Sequence, residues 1–129
     1  MHKRSLILGA VFALLAVVLG AFGAHALKQV LSPELLQTFE TGVRYQFYHS
    51  FALLVCGIIY TYSPDKTIRI ASNLFTAGIV LFSGSIYALV MLKSQGQVGL
   101  AGLGILTPIG GLMFISAWVF FILGVIKKN

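Results

Sequence analysis

The side chains with most chemical potential in this chain are two histidines, a glutamate, an arginine and a tyrosine: His25, Glu40, Arg44, Tyr45 and His49. Two imidazoles brought together can ligate a metal or a haem, relay protons, or serve only as hydrogen-bonding groups. Glu40 and Arg44 stand four apart, the spacing of an ion pair on a helix surface. Tyr45, His49, Ala52 and Cys56 share one helical face. No HExxH, EF-hand loop, paired-cysteine motif, triad or phosphate loop accompanies them, so no catalytic residue and no metal site is assigned. The expectation is a structural polar cluster in which these five side chains meet, with His25 and His49 converging from consecutive helices. Cofactor binding and proton handling stay open as narrower alternatives. His2 sits at a terminus and carries no weight.

A second candidate is a polar face made of Asn73, Thr76, Ser83 and Tyr87, at steps of three, seven and four. Polar groups in hydrocarbon are costly unless partnered, so this stripe is expected to point into a bundle or a wet cavity. Interhelical hydrogen bonds are the plainer reading, and a polar path or ligand cavity the alternative.

The elements that must position these groups are membrane helices. Ser5 to Ala24 is a run of twenty residues without a charge or a strong amide. At ~1.5 Å rise per residue it spans a hydrocarbon core about 30 Å thick. Apolar residues make up 58% of the 129 and charged residues only 9%, which excludes an ordinary soluble domain at roughly 25% charged. One all-α transmembrane domain over 1–129 is expected, with spans at about 5–27, 46–62, 71–92 and 105–126. Lys3 and Arg4 ahead of an apolar stretch, with Ala24-His25-Ala26 after it, resemble a secretory signal. The stretch is longer than the ~7–15 residues of a signal core, so it reads as a retained first helix.

Between the first two spans, Ser32-Pro33-Glu34 is a helix start: an N-cap serine, proline at the first position, and an acid near the positive dipole end. Leu35, Leu36, Phe39, Val43 and Phe47 follow on one side, and Glu34, Gln37, Thr38, Thr41 and Arg44 on the other. That pattern predicts an amphipathic interfacial helix over about 33–45, bending before the second span or continuing straight into it. Ser63-Pro64-Asp65 marks a tight turn. Residues 93–107, with Gly96, Gly99, Gly102 and Gly104, read as a short connection or a sheltered re-entrant piece, and Thr107-Pro108 as the cap and first turn of the last helix.

Net charge is +6, but the basic residues sit at the ends of apolar runs rather than in a stripe, so nucleic acid is excluded as a partner. Lys3, Arg4, Lys66, Arg69, Lys127 and Lys128 fall on one side, and Lys28, Arg44 and Lys93 on the other. The bias of Lys and Arg toward cytoplasmic loops then places both termini in the cytoplasm. Cys56, the only cysteine, reads as a small packing residue. Gly9, Ala13, Ala16, Gly20 and Gly23 form a small-residue seam on the first helix, extended by Ala24, and Gly110, Ala117 and Gly124 a second on the last. Such seams let backbones approach closely, within the bundle or between protomers.

Four motifs in order, Gly20-Ala-Phe-Gly-Ala-His25, Glu40-Thr-Gly-Val-Arg-Tyr-Gln-Phe-Tyr-His49, Phe82-Ser-Gly-Ser-Ile-Tyr87 and Leu106-Thr-Pro-Ile-Gly-Gly111, resemble the DUF423 family of small bacterial membrane proteins. The resemblance covers essentially the whole chain and implies a four-helix inner-membrane protein. It implies no activity, substrate or cofactor. The motif positions His25, Glu40, Arg44, Tyr45, His49, Ser83, Tyr87, Thr107 and Pro108 carry over as candidates without roles.

The leading functional expectation is a non-enzymatic bundle in the inner or plasma membrane, acting as a homo-oligomer or as an accessory to a membrane protein partner. A small-solute, ion or proton transporter using the Asn73–Tyr87 face is the alternative. A His-ligated cofactor protein comes last, and the cofactor itself is unknown.

Overall fold

The computed structural model describes residues 2–96, 99 and 101–127. The described residues form four long helices: α1, His2–Val30; α2, Pro33–Tyr62; α3, Lys66–Ser94; and α4, Leu106–Ile126. A short helical turn, Ala101–Gly104, leads into α4. Residues 97, 98 and 100 of the glycine-rich connection lie outside the described residues. Gly96 and Gly99 within it have φ of 80° and 76°, a left-handed backbone that glycine adopts without strain.

The helix starts follow the local chemistry. Ser32 caps α2 by accepting from the Leu35 N–H at 3.2 Å, with Pro33 at the first helical position. Asp65 caps α3, accepting from the Thr67 N–H at 2.7 Å. The hydroxyl and N–H of Thr67 hold the Asp65 carboxyl below its ordinary pKa, and Lys127 adds to the effect from α4. The start of α4 differs from expectation. Thr107 and Pro108 lie inside its first turn, where proline is tolerated, and Ile105 precedes the helix without a side-chain cap. The Thr107 hydroxyl is engaged by Ser85 of α3 at 2.5 Å instead.

Two further features matter for the site. Residues 33–45 are the first turns of one continuous 30-residue α2, one of the two arrangements expected for them. Their apolar side is turned into the protein, where Phe39, Leu35, Leu36 and Val43 pack with Leu27, Ile86 and Val90. Both α1 and α3 also contain a π-helical segment, at Gly23–Leu27 and Ile79–Ser83. Each widened turn rotates the residues beyond it relative to an α-helical register.

α1 lies antiparallel along α2, α2 on α3, and α3 on α4. The small-residue seams make these approaches. A Cβ on Gly9 would meet the Ser50 carbonyl and Leu54, one on Gly20 would meet Val43, and one on Gly23 would meet Phe39. Ala16 is buried and Ala13 half-buried on the same helix. On α4, Gly110 abuts the Phe82 backbone, Ala117 is 0% exposed, and Gly124 abuts Ile68. Both seams are therefore occupied within the chain. The main core gathers Leu53, Cys56, Ile68, Phe75, Phe114 and Ala117.

The folded register puts Lys3, Arg4, Lys66, Arg69 and Lys127 at one end of the bundle. Arg4 donates to Asn73, and Lys127 donates to Thr67 at 2.9 Å. Lys28 and Lys93 lie at the other end. Lys128 lies outside the described residues.

Candidate functional site: polar contacts between the helices

Polar side chains enter the bundle chiefly from α2, and Gln46 is the centre of that set. It is 3% exposed, and both ends of its amide are used. Nε2 donates to the Phe12 carbonyl of α1 at 2.8 Å, and Oε1 accepts from the Tyr87 hydroxyl of α3 at 2.6 Å. One glutamine thus ties three helices. One turn on, Ser50 donates back to the Gln46 carbonyl. One turn earlier, the Gly42 carbonyl accepts from Ser83 at 2.7 Å. Gly42, Gln46 and Ser50 fall at four-residue steps on one face of α2.

His49 occupies the α2–α4 contact. Its ring lies flat on Phe114, with centroids 3.6 Å apart and an interplanar angle of 5°. Nδ1 donates to the Tyr45 carbonyl at 2.6 Å, and Nε2 accepts from Trp118 Nε1 at 3.2 Å. A carbonyl can only accept and an indole N–H can only donate, so the partners select the Nδ1–H tautomer. Both ring nitrogens are then engaged by the protein itself. Tyr45 completes the stack against Phe82 at 4.8 Å between ring centroids.

The five-residue cluster expected around His25 does not assemble. Gly23 packs on Phe39, and His49 lies ten residues further along α2, ~15 Å along the helix axis. His25 is exposed within the π-helical segment at the far end of α1. The expectation failed because antiparallel helices match positions from their shared turn outward, and the residues flanking His49, Gln46 and Ser50, meet Phe12 and Gly9 of α1 rather than its far end. Glu40 and Arg44 are both exposed and do not pair. Arg44 Nη2 donates to Thr41 Oγ1 at 3.2 Å. Of the five, only Tyr45 and His49 meet, through their rings, and of these only His49 is buried.

The second predicted face divides in two. Ser83 and Tyr87 bond to α2, whereas Asn73 is exposed toward Arg4 and Thr76 donates to its own helix at Ser72. The π-helical segment between them rotates the outer half of α3. The missed members are Gln46, Ser50, Trp118, the pair Ser5–Ser72, and Ser85, which bonds the candidate Thr107. Gln46 carried a usable signal: an amide in an apolar helix has to find partners.

Among the described residues no buried side-chain nitrogen or oxygen lacks a partner, and no group of three His, Cys, Asp or Glu is placed to share a metal ion. A cleft of about 370 Å³ opens sideways between α1 and α3, lined by Phe12, Leu15, Val18, Ile79 and Val80, with Gln46 and Tyr87 at its floor.

These features define a small all-helical membrane protein: three of its helices are long and apolar enough to cross a bilayer, and Gln46, His49, Ser50 and Ser83 are buried between its helices. The chain belongs to the DUF423 family, whose family model, described as "Protein of unknown function (DUF423)", matches residues 19–111. It is 43% identical to the UPF0382 membrane protein YwdK of Bacillus subtilis (strain 168), over 97% of this chain and 98% of the relative. Identity to the UPF0382 membrane protein SAB0533 of Staphylococcus aureus (strain bovine RF122 / ET3-1) is 42%, over 97% of each chain. Identity to SH2409 of Staphylococcus haemolyticus (strain JCSC1435) is 38%, again over 97% of each. No solved structure matches. The relatives' names and the apolar helices agree on a membrane location.

Proposed function

We propose that this chain is a non-catalytic, four-span bundle of the inner membrane that works through its outward surface, as an oligomeric or accessory component of a membrane assembly. The observation that carries this reading is where the interior polar groups end. Gln46, Ser83, Tyr87 and His49 are consumed by contacts between helices, whereas the outer faces carry Leu112, Ile115, Val119 and Ile122 on α4, and Leu14, Val17 and Val18 on α1. The transport alternative drew on a polar stripe, of which Ser83 and Tyr87 are taken up by bonds to α2 and Thr76 by a bond within its own helix.

Support for counting α2 as a span comes from the direction of its side chains. Gln46, His49 and Ser50 lower its average hydropathy but face inward, while Phe51, Val55 and Ile58 face out. At 30 residues α2 is ~45 Å long, more than the hydrocarbon core, so its first turns belong at the headgroup level. The end carrying Lys3, Arg4, Lys66, Arg69 and Lys127 is then the cytoplasmic one.

Cysteine cross-linking in native membranes tests the functional reading. Ile115→Cys or Ile122→Cys on the α4 face should give discrete disulfide-linked adducts of the chain with itself or with one partner. Ala117→Cys, buried, should give none. Ion or proton flux in proteoliposomes above that of empty vesicles, abolished by Tyr87→Phe, would replace this reading with a transporter.

A further inference from the structure

Among the lysines and arginines of the described residues, Arg44 alone stands away from a helix end. Below it, between α1 and α2, runs an outward-opening groove of about 220 Å³ lined by Ala16, Val17, Val43, Phe47 and Tyr48. The guanidinium is exposed, with Thr41 Oγ1 as its partner, and Glu40 stands one turn away, exposed and not paired with it. Two opposite charges at ion-pair spacing that do not neutralise each other offer a ligand both signs.

Their order along the helix matters. Gly20 faces Val43 and Gly23 faces Phe39, so Arg44 lies level with Gly20, ~6 Å inside the outer end of the apolar run Ser5–Ala24. Glu40 lies ~6 Å further out. Long helical side chains point toward the helix N-terminus, which carries the Arg44 head outward. From the membrane interior toward water the protein therefore presents an apolar groove, a cation and then an anion. A zwitterionic aminophospholipid presents the complement in the same order: acyl chain, phosphate, ammonium.

We propose that Arg44, Glu40 and the groove beneath them form a binding site for phosphatidylethanolamine. The phosphate accepts from Arg44, the ammonium donates to Glu40, and one acyl chain lies along Val17, Val43 and Phe47. An anionic lipid such as phosphatidylglycerol satisfies Arg44 but leaves Glu40 without a cation. A second copy of the chain packing its apolar face on this groove would leave both Arg44 and Glu40 without a partner of opposite charge. The site rests on the reading that α2 crosses the bilayer. Protection of a cysteine at position 51 in intact membranes tests that reading separately, so loss of the lipid with position 51 protected counts against this site alone.

Native mass spectrometry of the full chain in mild detergent, titrated with each lipid at matched acyl chains, reads the site. The wild type should hold phosphatidylethanolamine several-fold more strongly than phosphatidylglycerol. Arg44→Gln should weaken both about tenfold or more, as loss of a charge-assisted hydrogen bond does, and Arg44→Lys should restore part of it. Glu40→Gln should erase the preference while leaving binding intact. Val17→Trp, at a position 58% exposed, fills the groove and should weaken both lipids. Equal affinity for the two lipids in the wild type, or adducts unchanged by Arg44→Gln, would overturn the site. So would a dimer that Val17→Trp abolishes, which would give the groove to a second copy. Arg44 and Glu40 are exposed, and helicity by circular dichroism checks that each variant is folded; should Arg44→Gln fail that check, the preference read in Glu40→Gln decides alone.

Discussion

Gly110→Ala is expected to be among the most damaging single-methyl changes in this chain. A Cβ there would lie 2.8 Å from the Cα of Phe82 and closer still to its backbone nitrogen. Side chains can swing away from such a collision, but a backbone inside a π-helical segment can yield only if α3 and α4 separate. Overpacking of that kind costs about 1–3 kcal/mol. The separation would also disturb Phe114, which packs beside Gly78 and carries the His49 ring. The matched control is Gly84→Ala. That glycine lies within α3, and an added Cβ there meets nothing within 4 Å. Relief of backbone entropy should leave it neutral or more stable, by about 0.5–1 kcal/mol. Thermal unfolding followed by circular dichroism in one detergent should therefore move in opposite directions for two chemically identical substitutions. Equal shifts would mean that α3 and α4 do not touch at Gly110.

The second large effect is expected at Gln46. Gln46→Leu removes two interhelical hydrogen bonds together and leaves the Tyr87 hydroxyl facing an aliphatic group. A buried hydroxyl without its partner costs about 1–3 kcal/mol, although membrane-embedded pairs measured by mutant cycles average nearer 0.6 kcal/mol. Tyr87→Phe alone should cost less, because Gln46 keeps its bond to Phe12. The informative quantity is the double variant. With leucine opposite phenylalanine no polar group is stranded, so its loss should be smaller than the sum of the two single losses, by about 0.6–1.7 kcal/mol. Strict additivity would mean that the two side chains act separately.

Much of this fold is written in its sequence, because bilayer thickness, helix caps and charge placement all act locally. The run from Ser5 to Ala24, the cap at Ser32, the turn at Ser63-Pro64-Asp65 and the glycine spacing on α1 each rest on neighbouring residues, and each lies where those residues required. What failed depended on register. Nothing local announces the π-helical segments Gly23–Leu27 and Ile79–Ser83, yet the second decides that Tyr87 faces α2 while Asn73 does not. His25 and His49 flank one turn between consecutive helices, but antiparallel packing of α1 on α2 sets them more than ~15 Å apart in level. The amphipathic pattern of 33–45 has two sides, and its apolar residues Leu35, Leu36, Phe39 and Val43 pack against protein. Gln46 was legible in principle. An amide among Tyr45, Phe47 and Tyr48 needs partners, and only the fold could name Phe12 and Tyr87.

The central claim is that α2 crosses the bilayer with its polar side chains turned inward, its N-terminal end outside and its C-terminal end in the cytoplasm. Single cysteines at Gln37, Phe51 and Tyr62, in a Cys56→Ser background, test it when treated with a membrane-impermeant maleimide. The account predicts that Gln37→Cys labels only from the outer face of intact spheroplasts and Tyr62→Cys only in everted vesicles. Phe51→Cys, outward-facing at mid-helix, should stay unlabelled in both until detergent is added. Labelling of Phe51→Cys in sealed membranes, or of Gln37→Cys and Tyr62→Cys from the same side, would contradict it.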